Sequence, residues 1–168
     1  MSEHTDVKQV LRAELKTLLN SLAMGESPRW HNERLWFSDW GAREIVAVDL
    51  AGNHEVMVRL PFPSFQATCF DWLPDGRLLV VSSGAGLLLH MTLAGMLATY
   101  ADLGGFAARG WNEIVVDGHG NAYVNGGGFD LAAGEKFAPG MILLVTPDGF
   151  VRQVADDMAF PNGMAVNG

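Results

Sequence analysis

One construction recurs four times along this 168-residue chain: an oxygen-bearing side chain stands four residues ahead of a Trp or Val, where a short apolar run begins. Glu26 precedes Trp30, Thr68 precedes Trp72, Asn112 precedes Val116 and Asn162 precedes Val166, with 42, 44 and 50 residues between successive members. The same series of short strands and turns fills each interval. Leu35–Ser38, Ile45–Asp49 and Glu55–Arg59 follow the first member, broken by Gly41 and Ala51-Gly52-Asn53. Leu78–Val81, Leu87–Thr92 and Leu97–Ala101 follow the second, with turns at Pro74-Asp75-Gly76 and Ala94-Gly95. Ala122–Val124, Met141–Thr146 and Phe150–Val154 follow the third, with turns at Gly118-His119-Gly120 and Pro147-Asp148-Gly149. With its opening strand each unit has four strands, and a period of about 40 to 45 residues with four strands per unit is the mark of a β-propeller. A generic β-sandwich explains the strands but not the recurrence. The long last interval holds an insertion from Gly126-Gly127-Gly128 to Pro139-Gly140, expected to cross one end of its blade.

The fold class expected is therefore all-β, a propeller of about three blades plus the first strand of a fourth. The organisation expected is an N-terminal extension over 1–13 and the first half of a propeller over 14–168, with blades near 25–61, 62–103 and 104–157 and a fourth beginning at 158–168. Such a set cannot close a ring of the usual ~4 to 8 blades. The sequence is thus expected to be half of a longer propeller, although two copies in one ring or self-association through open edges are alternatives. Residues Val7 to Leu22 carry apolar side chains at helical spacing, while Leu15–Leu19 also reads as an edge strand; local pattern favours helix.

Composition narrows the partners. The chain is 49% hydrophobic, so it can bury a core, and its 20 glycines and seven prolines act as punctuation between strands. A net charge of −8 and a pI near 4.9 argue against nucleic acid or an anionic membrane. Cys69 stands alone, which excludes an internal disulfide framework and reads as a small buried hydrophobe. The polar, acidic start is unlike a secretory signal and no apolar run approaches ~20 residues, so a cytoplasmic location is expected.

In a propeller the first strand of each blade lines the channel, and residues at its start ring one mouth. Glu26, Asn112 and Asn162 would converge there as an all-oxygen set suited to a hard divalent cation. One carboxylate makes a weak site, a second acid would be needed, and the remaining blade offers only Thr68. The alternative is that these residues merely satisfy turn backbone groups. Asp130, after Phe129 in the insertion, is placed to contact substrate at the same mouth. His31, His54, His90 and His119 lack ligand spacing, and Trp30, Trp36, Trp72 and Trp111 read as wedges between blades. No nucleophile elbow or phosphate-binding loop is present: Gly126-Gly127-Gly128 lacks the Lys-Ser/Thr that should follow.

Five segments carry a resemblance. Gly25-Glu26-Ser27-Pro28-Arg29-Trp30, Trp36-Phe37-Ser38-Asp39, Asn112-Glu113-Ile114-Val115-Val116-Asp117, Gly120-Asn121-Ala122-Tyr123 and Phe160-Pro161-Asn162-Gly163-Met164-Ala165 resemble the SMP-30/gluconolactonase/luciferin-regenerating-enzyme family over roughly Leu15 to Gly168. The resemblance implies a six-bladed propeller that opens sugar lactones or related cyclic esters, with a divalent cation in its channel: Ca²⁺ first, with Mg²⁺, Mn²⁺ or Zn²⁺ as alternatives. It implies that Glu26 and Asn162 ligate the metal, that Asn112 contacts metal or substrate, and that Arg109 binds substrate. Arg109-x-x-Asn112 is one residue longer than a common form of the motif, and Glu113 stands where Asp is frequent. The family's general-base Asp belongs to the second half of the propeller, so no catalytic residue is assigned to this chain. The resemblance also makes Glu14–Leu19 a strand that closes the last blade, leaving Val7–Leu11 helical.

The chemistry implied is metal-assisted attack of water on a ring ester, with Asn112 and Arg109 positioning hydroxyls or the oxyanion. The partner expected is a small lactone or sugar acid. Alone, the chain is expected to bind Ca²⁺ weakly and to hydrolyse lactones poorly. The competing expectations are a non-catalytic metabolite-sensing or interaction propeller and an inactive fragment.

Overall fold

The computed structural model describes residues 15–106, 110–130 and 133–167. Twelve strands form three four-stranded antiparallel sheets, and no helix occurs among these residues. The first sheet contains β1 (Gly25–His31), β2 (Arg34–Asp39), β3 (Glu44–Val48) and β4 (His54–Arg59). The second contains β5 (Thr68–Trp72), β6 (Leu78–Ser82), β7 (Leu87–Met91) and β8 (Leu97–Asp102). The third contains β9 (Trp111–Val116), β10 (Ala122–Gly126), β11 (Gly140–Val145) and β12 (Val151–Met158). Strands pair in sequence order within each sheet, as blades of a propeller do.

Burial explains why the sequence reads as it does. β6 is buried along its whole length because it lies in the middle blade: Leu78 and Val80 enter the core shared with blade 1, while Leu79 and Val81 enter the core shared with blade 3. A strand packed on both faces can be apolar throughout. Each such Leu or Val contributes about 1.5–3 kcal/mol through burial. β12, the outermost strand of blade 3, alternates with charged and polar residues instead. Trp36 and Trp72 pack edge to face between blades 1 and 2, and Trp111 is buried between blades 2 and 3, so these three act as the expected wedges. Trp30 does not; it is 59% exposed.

The turns at one end of the blades repeat a local design. Asp49 Oδ1 accepts the backbone N–H of Ala51 and Asn53, and Asn53 Nδ2 donates to Asp49 Oδ2. Asp117 does the same with His119 and Asn121. Gly52 and Gly120 close these turns with φ of 95° and 83°, a region costly for side chains. Local side-chain acceptors thus fix the hairpins, which explains why the turns are legible in sequence.

Two expected strands are not formed. Residues 15–19 are in neither strand nor helix; Leu18 and Leu19 instead lie against Phe37, Val46 and Val48 on the outer face of blade 1, and Lys16 Nζ donates to Leu50 O at 2.6 Å. Residues 163–166 are likewise not a strand. A strand exists only against a ladder partner, and neither segment has one among the described residues. Val7–Leu11 and Glu14 lie outside the described residues.

Candidate functional site

Glu26, Thr68 and Asn112, in the opening strands β1, β5 and β9, fall at one end of the blades, where Asn162 follows the end of β12. That end also carries the turn between β2 and β3, the turn between β6 and β7, the insertion between β10 and β11, and the connections from each blade to the next. Together they surround a cleft of about 720 Å³. Trp40, Gln66, Ser83, Asn112, Asp130 and Pro161 are among the residues that line it.

Local backbone irregularities aim particular side chains. In blade 3, Asn125 pairs with Glu113 and Gly126 with Trp111, so Asn112 is the extra residue of a β-bulge, without a partner on β10. The bulge turns Asn112 into the cleft, where its Nδ2 donates to Pro161 O at 3.1 Å. In blade 1 the register shifts between Glu26 and Arg29, with Pro28, which has no N–H, inside the bulge and Ser27 at φ 51°. Blade 2 pairs regularly from Thr68 to Trp72. Thr68 is buried and donates its hydroxyl to Gln66 O at 3.1 Å, a backbone-satisfying role. In the opening hairpins the register therefore shifts in blades 1 and 3, whose opening residue can ligate a metal, and not in blade 2, where the shift falls between β7 and β8.

The other candidate residues take distinct places. Glu26 is half-buried in β1 and borders a separate hollow of about 350 Å³ beneath Leu18, Leu19 and Leu22. Asn162 is exposed, and its carbonyl accepts Nδ2 of the buried Asn125. Asp130 is exposed at the cleft, where its Oδ1 accepts the Ala133 N–H at 3.0 Å. Arg109 lies outside the described residues. The structure thus gathers Asn112, Pro161 and Asn162 on the end of blade 3, and links Glu26 to them only through its chain neighbour.

That link is a polar network on the innermost strands. The Glu113 carboxylate accepts the Ser27 hydroxyl at 3.2 Å to each oxygen, Arg29 Nη2 at 2.9 Å and its neighbour's Ile114 N–H at 2.9 Å. Arg29 Nη2 also donates to Ile114 O at 2.6 Å. Ser27 follows Glu26 and Glu113 follows Asn112, so one buried hydrogen-bonded cluster ties the two bulged strands together across the channel. On β5, between them, Asp71 Oδ2 accepts the Val116 N–H at 2.8 Å, and burial raises its pKa against the lowering effect of the Val116 and Trp72 N–H groups. Cys69 is fully buried; burial and the nearby Glu113 charge push its thiol well above the ordinary range, which makes it the inert hydrophobe expected.

Asp39 anchors the approach to Glu26. Its carboxylate accepts the N–H groups of Ala23 and Met24 at 3.0 Å and those of Gly41 and Ala42 at 3.1 Å. Burial acts to raise its pKa, but the donors at Ala42, Ala23, Met24 and Gly41 outweigh it and hold the carboxyl below its ordinary value. Trp40 Nε1 donates to Thr68 O at 2.8 Å and so joins blade 1 to blade 2 at the mouth. Reading for strand-opening residues missed Ser27, Arg29, Asp39 and Glu113. The one signal available was a cluster of polar residues inside otherwise apolar strand runs.

The donor chemistry fits a hard cation. Asn125 Oδ1 is buried without a hydrogen-bond partner beside Asn162, and Asn112 has its Nδ2 engaged, which leaves its Oδ1 as an acceptor. Among the described residues no three His, Cys, Asp or Glu side chains come together; of the candidate carboxylates, Asp130 lines this cleft and Glu26 borders the other hollow. No helix among these residues is long and apolar enough to cross a membrane.

Comparison with known structures agrees with the blade arrangement. A gluconolactonase of Xanthomonas campestris is 19% identical, with a TM-score of 0.61 over 83% of this chain and 50% of its own. A putative gluconolactonase is 18% identical, with a TM-score of 0.64 over 88% of this chain and 54% of its own. Regucalcin of Agrobacterium tumefaciens, a calcium-binding protein, is 23% identical, with a TM-score of 0.62 over 85% of this chain and 46% of its own. At such identities the likeness establishes the fold, and the chain spans about half the length of these structures. No curated protein matches the sequence significantly. The model of the SMP-30/gluconolactonase/LRE-like region matches residues 24–168, and the chain belongs to that family.

Proposed function

We propose that these residues form the first three blades of a divalent-metal-dependent hydrolase that opens sugar lactones or related cyclic esters. The observation that carries the reading is Asn112, bulged out of its ladder into the cleft and bonded to Pro161 next to Asn162. In this reading Glu26, Asn112 and Asn162 hold the cation, Ca²⁺ first. Bound there, the cation would supply Lewis-acid polarisation of the ester carbonyl. The chain's own residues do the rest of the positioning. Asn112 offers its amide to metal or substrate, Asp130 and Arg109 contact the substrate, and the Ser27–Arg29–Glu113 cluster fixes the spacing between the first and third blades. No general base is assigned among these residues, so cation binding rather than fast turnover is the property this reading predicts for them.

Calcium titration by calorimetry tests the assignment. The wild-type chain is expected to bind weakly, and Glu26→Gln and Asn112→Ala each to lower affinity at least tenfold, since losing even an outer-shell partner of a ligand costs about 10–100-fold. Unchanged affinity in both variants would sink it. Lactone opening, followed as acid release, is expected to be slow with Ca²⁺ and to vanish with a chelator.

A further inference from the structure

The rim of the cleft is aromatic. Phe129 of the insertion lies with its ring centroid 5.4 Å from that of Phe137 and 5.7 Å from that of Phe160, so three rings from two separate segments form one group. Across the mouth, Phe65 on the connection from blade 1 to blade 2 donates its N–H to Trp40 O at 2.9 Å, and its ring lies over Gly41, where a Cβ would come within 3.1 Å. Trp40, Phe65, Phe129 and Phe160 all line the cleft together with Asn112. Phe65, Phe137 and Phe160 remain 65%, 62% and 51% exposed, a grouping of large apolar side chains at an opening that marks a binding surface.

A second observation points the same way. Phe65 and Phe160 hold φ of 60° and 55°, the left-handed region that a bulky side chain rarely adopts. Strain of this kind persists where surrounding structure imposes it, and it gathers at ligand-binding sites. Two of the eight non-glycine residues at positive φ among the described residues are these rings, which face one cleft from different connections.

The chemistry of such a rim selects its ligand. Gln66, Ser83, Asn112 and Asp130 can serve a polar ring, but the Phe side chains of the rim offer hydroxyls no hydrogen-bond partner, whereas an aryl or alkyl substituent there gains by burial and ring stacking. A cleft of about 720 Å³ lies within the ~300–1,000 Å³ usual for small-molecule sites. Building on the lactone-hydrolase reading above, we infer that the substrate is a lactone or cyclic ester bearing an apolar aryl or alkyl substituent, with its ester toward Asn112 and its substituent among Phe65, Phe129 and Phe160. A polyhydroxylated sugar lactone is the poorer ligand.

Binding to the 168-residue chain with Ca²⁺ present, read by calorimetry and by tryptophan fluorescence, tests this with three probes: γ-phenyl-γ-butyrolactone, glucono-δ-lactone and 4-phenyl-1-butanol. The phenyl lactone is expected to bind at least about tenfold more tightly than either of the others. The Phe129→Ala/Phe160→Ala pair should lose that advantage, and the Phe129→Leu/Phe160→Leu pair should keep most of it. Phe65→Ala, on a separate connection, should weaken the phenyl lactone several-fold whatever happens to the insertion. Glucono-δ-lactone binding as well as the phenyl lactone, or a phenyl affinity untouched by the alanine variants, overturns the inference and leaves the lactone reading standing. Equal binding of the phenyl alcohol, or no binding by either lactone, overturns both.

Discussion

Glu113 shows how much one side chain can hold in place. Its carboxylate joins Ser27 and Arg29 of blade 1 to blade 3, and it is 8% exposed against 19% for Arg29. Glu113→Ala would strand a largely buried guanidinium and a hydroxyl, at a cost of about 3 kcal/mol. Thermal melting is expected to fall by roughly 6 to 12 °C for a chain of this size, with Glu113→Gln falling less because it keeps an acceptor. Asp39 and Asp71 give stability opposite dependences on pH. The folded pKa of Asp39 lies below its ordinary 3.8, so its contribution is present above that value and is lost as pH falls through the folded one. Asp71 is raised from 3.8 by burial, so stability falls as pH rises from there through its folded pKa. Urea midpoints measured across the acid range should lose the first slope in Asp39→Asn and the second in Asp71→Asn; an unaltered profile in both would contradict these assignments.

At the scale of elements, the bulges matter more than the regular ladders. Gly126 pairs with Trp111, next to the bulged Asn112, with φ of 152°, and a Cβ there would meet Trp111 Cα at 2.5 Å and Gly110 O at 2.7 Å. Gly126→Ala must push β10 away from β9, and a loss of about 1–3 kcal/mol in urea unfolding is expected. Wild-type stability in that variant would mean the strands separate freely. Most strands are legible because short apolar runs and Asp-Gly turns are local: Leu78–Val81 and Pro147-Asp148-Gly149 carry their own instructions. The bulge at Asn112 is not, since its cause is the pairing of Asn125 with Glu113, a partner choice that no window around Asn112 contains. Residues 15–19 and 163–166 misled for the same reason, because strand propensity is realised only beside a partner strand.

At the scale of the whole molecule, the three blades are held by two inter-blade cores and flanked by a third apolar cluster. Phe37, Val46 and Val48 on the outer face of blade 1 are covered by Leu18 and Leu19. Replacing both leucines with Asp should uncover that face, raise binding of a hydrophobic dye and promote self-association in sedimentation runs; a variant as monodisperse as wild type would show that the cover is dispensable. By itself the sequence determined the propeller class, the blade period, the hairpin turns and the one end of the molecule where Glu26, Asn112 and Asn162 reside, since each follows from local pattern and its recurrence. Only the tertiary structure decided that Asn112 faces a cleft, that Ser27 and Arg29 reach Glu113 from 86 and 84 residues away, and that Phe65 and Phe160 border the same mouth. Those outcomes depend on strand register and blade packing, where residues distant along the chain are brought within hydrogen-bond or ring contact.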